Sequence, residues 1–137
     1  MKGKVIIMTE IMRTAITENG KRLNKLRELE CKTLEEKISV DATITELELD
    51  TKGMLYQYYR YPTDEDVKAK LASVNEINAI FGDADTTEDD IRAEYAQDAT
   101  KTMEDIRRLE AQRTYFVSLM RDFPDVKVID LETIDNL

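Results

Sequence analysis

Carboxylates are the side chains from which this sequence could most readily build chemistry, since it carries 29 Asp and Glu but no His and a single Cys. Without imidazole there is no Ser-His-Asp triad, no Cys-His pair and no mixed Cys and His zinc site. Ser39, Ser73 and Ser118 are the only serines, and none lies in a small-residue turn that would expose a nucleophile. The isolated glycines exclude a P-loop or a dinucleotide fingerprint. Acids alone could hold a divalent metal for hydrolysis. Helical enzymes of that kind place acids three or four residues apart on one face. No Glu-x-x-Glu occurs here, and Glu94 with Asp98 is the one well-placed pair on a clear helix. A solvated helix face explains that pair without a metal.

The densest acidic cluster is Asp83, Asp85, Glu88, Asp89, Asp90 and Glu94. Its spacing partly resembles an EF-hand calcium loop, with Asp83, Asp85, Thr87 and Glu94 at the first, third, fifth and twelfth ligand positions. Glu88 stands where the sharp turn needs Gly, and Asp90 where an apolar residue joins the loop to its partner. An acidic loop feeding a capped helix accounts for the same residues, so no metal and no cofactor is assigned. Tyr56, Tyr58, Tyr59 and Tyr61 crowd around Arg60. Such a group can be an interface hot spot or simple packing. Base stacking is disfavoured because Lys52 and Arg60 are the only nearby cations.

The acidity is local. Residues 63–98 hold eleven Asp and Glu against Lys68, Lys70 and Arg92, whereas residues 1–62 sum to about +1 and the whole chain to −9. Such a field repels nucleic acid and anionic membranes and attracts basic protein surfaces. The longest early apolar run, Val5 to Met8, is too short for a signal-peptide core or a membrane span, and one cysteine suits a reducing compartment. A cytoplasmic, intracellular protein of one domain, 1–137, is expected.

Few Gly and Pro interrupt the helical patterns. After Gly82, Thr86 or Thr87 can cap a helix whose stripe reads Ile91, Tyr95, Ala99, Met103, Ile106, Leu109, Phe116 and Met120 before Pro124, roughly ten turns. A shorter helix runs from Thr63 to Gly82 with Val67, Leu71, Val74, Ile77 and Phe81 inward. Another covers about Gly20 to Lys37, with Leu23, Leu26 and Leu34 inward and a basic outer face that could pair with the acidic segment. Residues 38–61 admit two structures. Ile38, Val40, Ala42 and Ile44 alternate with polar residues, and Asp50 to Gly53 suits a turn, which favours a β-hairpin. Val40, Ile44, Leu47, Thr51, Met54, Tyr58 and Tyr61 also keep a 4,3 helical spacing. Continuing the helix would leave Ile38, Ala42 and Leu49 on the opposite face and Gly53 inside it. Residues 4–8 and 126–131 read as short strands that could extend the hairpin.

These patterns predict a helix-rich α+β fold, long amphipathic helices with a small antiparallel hairpin, the alternative being an all-α helical hairpin or coiled-coil bundle. The function expected is non-catalytic. An acidic surface of Asp64, Glu65, Asp66, Asp83, Asp85, Glu88, Asp89 and Asp90, with Tyr56, Tyr58, Tyr59 and Arg60, would dock onto a basic protein. That partner could be a nucleic-acid-binding protein, inhibited by a charge mimic of the kind viruses encode; direct nucleic-acid or membrane binding is not expected. The length of the final helix predicts a homo-oligomer through Tyr95, Ile106, Leu109, Phe116 and Met120. The alternatives are an oligomeric structural or assembly subunit built on long helices, and a carboxylate-only metal hydrolase.

Overall fold

The computed structural model describes the backbone of residues 2–137 and the side chains of residues 10–137. It consists of α1 (Lys2–Arg27), α2 (Leu34–Arg60), α3 (Asp64–Phe81), α4 (Glu88–Asp122) and α5 (Leu131–Asp135), with no strand among the described residues. The α+β expectation is therefore corrected to an all-α bundle. Helix α2 lies between α1 and α4, α3 packs on α4, and α5 packs on α1. The pairs Glu46–Arg113 and Lys52–Asp105 and the Tyr58–Tyr95 contact advance in opposite directions, so α2 and α4 are antiparallel.

The hairpin expectation fails because α2 is buried on two opposite faces. Val40 and Leu47, with Ile44 beside them, face Leu23, Leu26 and Ile134. Leu49 faces Ile106 and Leu109, with Tyr56 packed against them. Residues two apart on a helix point about 200° apart. Two helical stripes on opposite faces therefore interleave into an apparent alternation, and Ile38, Val40, Ala42, Leu47 and Leu49 are all buried. Thr43 and Thr45, of a residue type that favours strands, donate their hydroxyls to the carbonyls of Ser39 (2.7 Å) and Asp41 (2.9 Å) one turn back. That satisfies polar groups which burial would otherwise leave costly.

The first helix also differs from expectation. Residues 4–8 lie within α1, and Gly20 sits inside it. The helix ends at Arg27, short of the expected Lys37, so Leu29 lies beyond it and is exposed. Thr33 then caps α2 by accepting from the Glu36 N–H at 3.1 Å, leaving Leu34 exposed. The basic face of α1 meets acids outside the acidic middle segment. Arg22 makes a two-point contact with Asp135 (2.8 and 3.0 Å), and Arg27 meets Glu48. Arg22 also donates to Asn19, which is buried and donates in turn to Asp50 (2.9 Å) and Thr51 (3.2 Å).

Of residues 126–131, expected as strand, 126–130 have no regular secondary structure and lie across α2, and Leu131 opens α5. The Ser39 hydroxyl donates to the Lys127 carbonyl (2.6 Å), and the Ile129 N–H donates to Thr43 Oγ1 (2.9 Å). The segment thus has helix side chains as its hydrogen-bond partners. It delivers Ile134 of α5 into full burial against Leu23, Leu26, Val40 and Leu47.

Gly53 sits in the interior of α2 without a positive φ, and a Cβ added there would meet nothing within 4 Å. Gly53→Ala is expected to raise stability by about 0.5–1 kcal/mol, read as a higher urea midpoint. A left-handed glycine in a hairpin turn would give the opposite sign.

Candidate functional site

The acid-rich end is built by α3, the start of α4 and their connection. Thr63 and Thr87 cap the two helices by accepting the N–H groups of Asp66 (3.1 Å) and Asp90 (3.2 Å). Asp90 completes a capping box by accepting from the Thr87 N–H at 3.0 Å. Gly82 ends α3 in the left-handed conformation, φ 72°. Asn75 then clamps the loop, its amide oxygen accepting from the Thr86 N–H (2.7 Å) and its NH2 donating to the Thr86 carbonyl (3.2 Å). Asn78 adds a bond to the Thr86 hydroxyl at 3.0 Å.

The expected acidic surface is divided in two. Arg92 bridges Asp64 (2.6 Å) and Glu88 (3.2 Å), bringing those acids together and offsetting their charge. Glu65 is exposed in the same first turn of α3, and Asp66 is half-buried. Asp83, Asp85 and Asp89 are exposed. The first two follow the last turn of α3, about 27 Å from its start by helical rise over 18 residues. Glu94, the twelfth ligand in the calcium-loop resemblance, instead meets Lys70 at 3.0 Å. Among the described residues no three His, Cys, Asp or Glu side chains gather as a metal-ligand group.

Of the tyrosines, Tyr61 is exposed, Tyr56, Tyr58 and Tyr59 are half-buried and Tyr95 is buried. Tyr58 and Tyr95 share a hydroxyl–hydroxyl hydrogen bond of 3.1 Å, and Tyr59 packs beside them against the cluster of Val67 and Ile91. Burial first, and then the Tyr58 contact, raise the Tyr95 pKa, so its phenol stays protonated through the neutral range. Arg60 stacks over Tyr61 at 5.4 Å. With Tyr56, Met103, Glu104 and Arg107 it lines an open cleft of about 390 Å³ between α2 and α4. Of the residues expected to form an oligomer surface, Tyr95, Ile106 and Leu109 are buried within the chain, whereas Phe116 and Met120 are half-buried. Much of the length of α4 has an internal cause: its start packs on α3, and its middle runs along α2 as far as Arg113, which meets Glu46.

Two exposed apolar groups were not anticipated. Ile77, Ile80 and Phe81, at the end of α3, are 55, 75 and 74 % exposed, although Ile77 and Phe81 belong to the stripe expected to face inward. The signal was present in the sequence: after Val67, Leu71 and Val74, the inward positions become Asn75 and Asn78, so contact with α4 ends a turn before the helix does. The second group is Tyr115 and Val117 near the end of α4, 60 and 45 % exposed. No family, curated protein or solved structure matches the chain. Among the described residues, no helix is long and apolar enough to cross a membrane.

Four carboxyls are held below their usual range: Asp90 by the Thr87 N–H and hydroxyl, Asp105 by Lys52, Asp130 by the Thr133 N–H and Asp135 by Arg22. Each is a stronger acid folded than unfolded. Its contribution is complete above the unfolded value, about pH 4, and is lost as pH falls through the lower folded value. The urea midpoint is therefore expected to hold from neutrality to about pH 4 and to fall below it, with Asp135→Asn flattening part of the fall. A midpoint constant to about pH 2 would contradict this.

Proposed function

We propose that the chain is a non-catalytic structural or assembly subunit that self-associates through the last turns of α4. One observation carries this. Residues 115–120 are Tyr, Phe, Val, Ser, Leu and Met, apolar on nearly every face of the helix, yet Tyr115 and Val117 are exposed and Phe116, Leu119 and Met120 only half-buried. A helix apolar all round is stable where something covers it. The stretch carries no charge of its own, so two copies of a −9 chain can approach there with little like-charge cost. A self-complementary contact of this type closes as a two-fold dimer.

The division of the acidic residues supports assembly over nucleic-acid mimicry. A mimic needs a continuous run of free charge, whereas Asp64 and Glu88 share Arg92 and Asp90 caps a helix. Several of the ionisable and hydroxyl groups are similarly engaged, Glu94 with Lys70 and Ser39, Thr43 and Thr45 with backbone carbonyls.

Sedimentation or light scattering is expected to report a dimer or larger species. Tyr115→Asp with Val117→Asp should convert it to monomer while leaving helical circular dichroism intact, because both positions are exposed. A monomeric unmodified protein at high micromolar concentration would end the self-association proposal.

A further inference from the structure

We infer that the tip of α3, the ridge formed by Ile77, Ile80 and Phe81, is a docking site for a basic amphipathic helix of another protein. The site is separate from the end of α4 and does not depend on self-association. Three observations converge on it. The side chains at positions 77, 80 and 81 stand i, i+3 and i+4 apart, so they share one face of the helix and form a single apolar ridge. All three are more than half exposed, at a place where a monomeric chain gains nothing by presenting them to water.

The second observation is charge. Between Lys70 and Arg92 the chain has six acids and no Lys or Arg. Glu76 flanks the ridge within the helix, and Asp83 and Asp85 follow it immediately after Gly82. These three carry no ion pair among the described residues, in contrast to Asp64 and Glu88. The rim therefore repels a second copy of itself and an anionic lipid surface, and it complements Lys or Arg beside an apolar stripe. The chain's own helical basic face does not qualify as the occupant, because Arg22 and Arg27 are already paired with Asp135 and Glu48.

Third, the tip is held in shape before any partner arrives. Gly82 sets the turn, the Asp83 N–H returns to the Asn78 carbonyl at 2.8 Å, and Asn75 and Asn78 fix Thr86. Such preorganisation lowers the ordering cost of binding. The apolar ridge supplies the affinity and the acids supply rate and orientation, the usual division between anchor and rim.

The probe is a labelled peptide of about five helical turns with Leu on one face and Lys on the other, compared with a Leu and Glu peptide of the same pattern. The basic peptide should bind and the acidic one should not. Replacing Ile80→Ser together with Phe81→Ser should weaken binding about tenfold or more. Replacing Asp83→Asn with Asp85→Asn should slow association and reduce its salt dependence. Backbone amide shifts should centre on residues 76–85. The Tyr115→Asp, Val117→Asp protein should bind equally well, which separates this site from self-association. Binding unchanged by the Ile80 and Phe81 replacements would overturn the proposal, as would amide shifts centred elsewhere or capture of the protein by phosphatidylcholine vesicles in place of the peptide.

Discussion

The burial of α2 on two opposite faces is the constraint on which the rest of the structure depends. A helix with one apolar stripe needs one neighbour, whereas a helix carrying Val40 and Leu47 on one side and Leu49 on the other needs two. Helices α1 and α4 fill those places. Residues 126–130 and α5 close the remaining edge, with Ile134 fully buried at the junction. Each fully buried Leu or Ile contributes roughly 1.5–3 kcal/mol relative to exposure, so a central helix covered on both sides concentrates the stabilisation of the chain. The buried threonines follow from the same constraint, because a helix interior can hold a hydroxyl that bonds to its own preceding turn.

Much of this was legible in the sequence. Helices α3 and α4 were marked by Thr63, Gly82, the Thr86-Thr87 pair and Pro124, because capping is local chemistry that a few residues determine, although only the structure selects Thr87. Helix α2 was obscured by a superposition: the residues that counted against a helix, Ile38, Ala42 and Leu49, form the second buried face. A periodicity of two and two opposed periodicities of 3.6 produce similar patterns over a dozen residues, and only the identity of the neighbours separates them. The C-terminal strap was misread for a related reason. Its residues form no ladder with a strand, and their partners are the hydroxyls of Ser39 and Thr43, about ninety positions earlier.

The candidate sites were legible in composition more than in position. The acid-rich middle was plain, but its division by Arg92 depends on α3 crossing α4, which no local pattern encodes. Tyr58, Tyr59 and Tyr95 were attractive as interface residues and instead form a packed aromatic cluster. Two of the exposed apolar groups are the uncharged end of α4 and the acid-rimmed tip of α3. Their different electrostatics support different occupants, a second copy at one and a basic helix at the other. A helical chain with two such unlike regions is what the proposed role, a component that joins other components, requires.

The central claim is that α2 is one continuous helix enclosed by α1, α4 and the C-terminal strap. Native-state hydrogen exchange resolved by residue tests it most directly. The amides of residues 38–56 should be the slowest in the chain and should exchange together, through global unfolding, with residues 102–109 of α4 following the same denaturant dependence. Exchange in residues 50–53 that is fast compared with both flanks, accompanied by cross-strand contacts between residues 38–49 and 54–61, would reveal a hairpin and contradict the account.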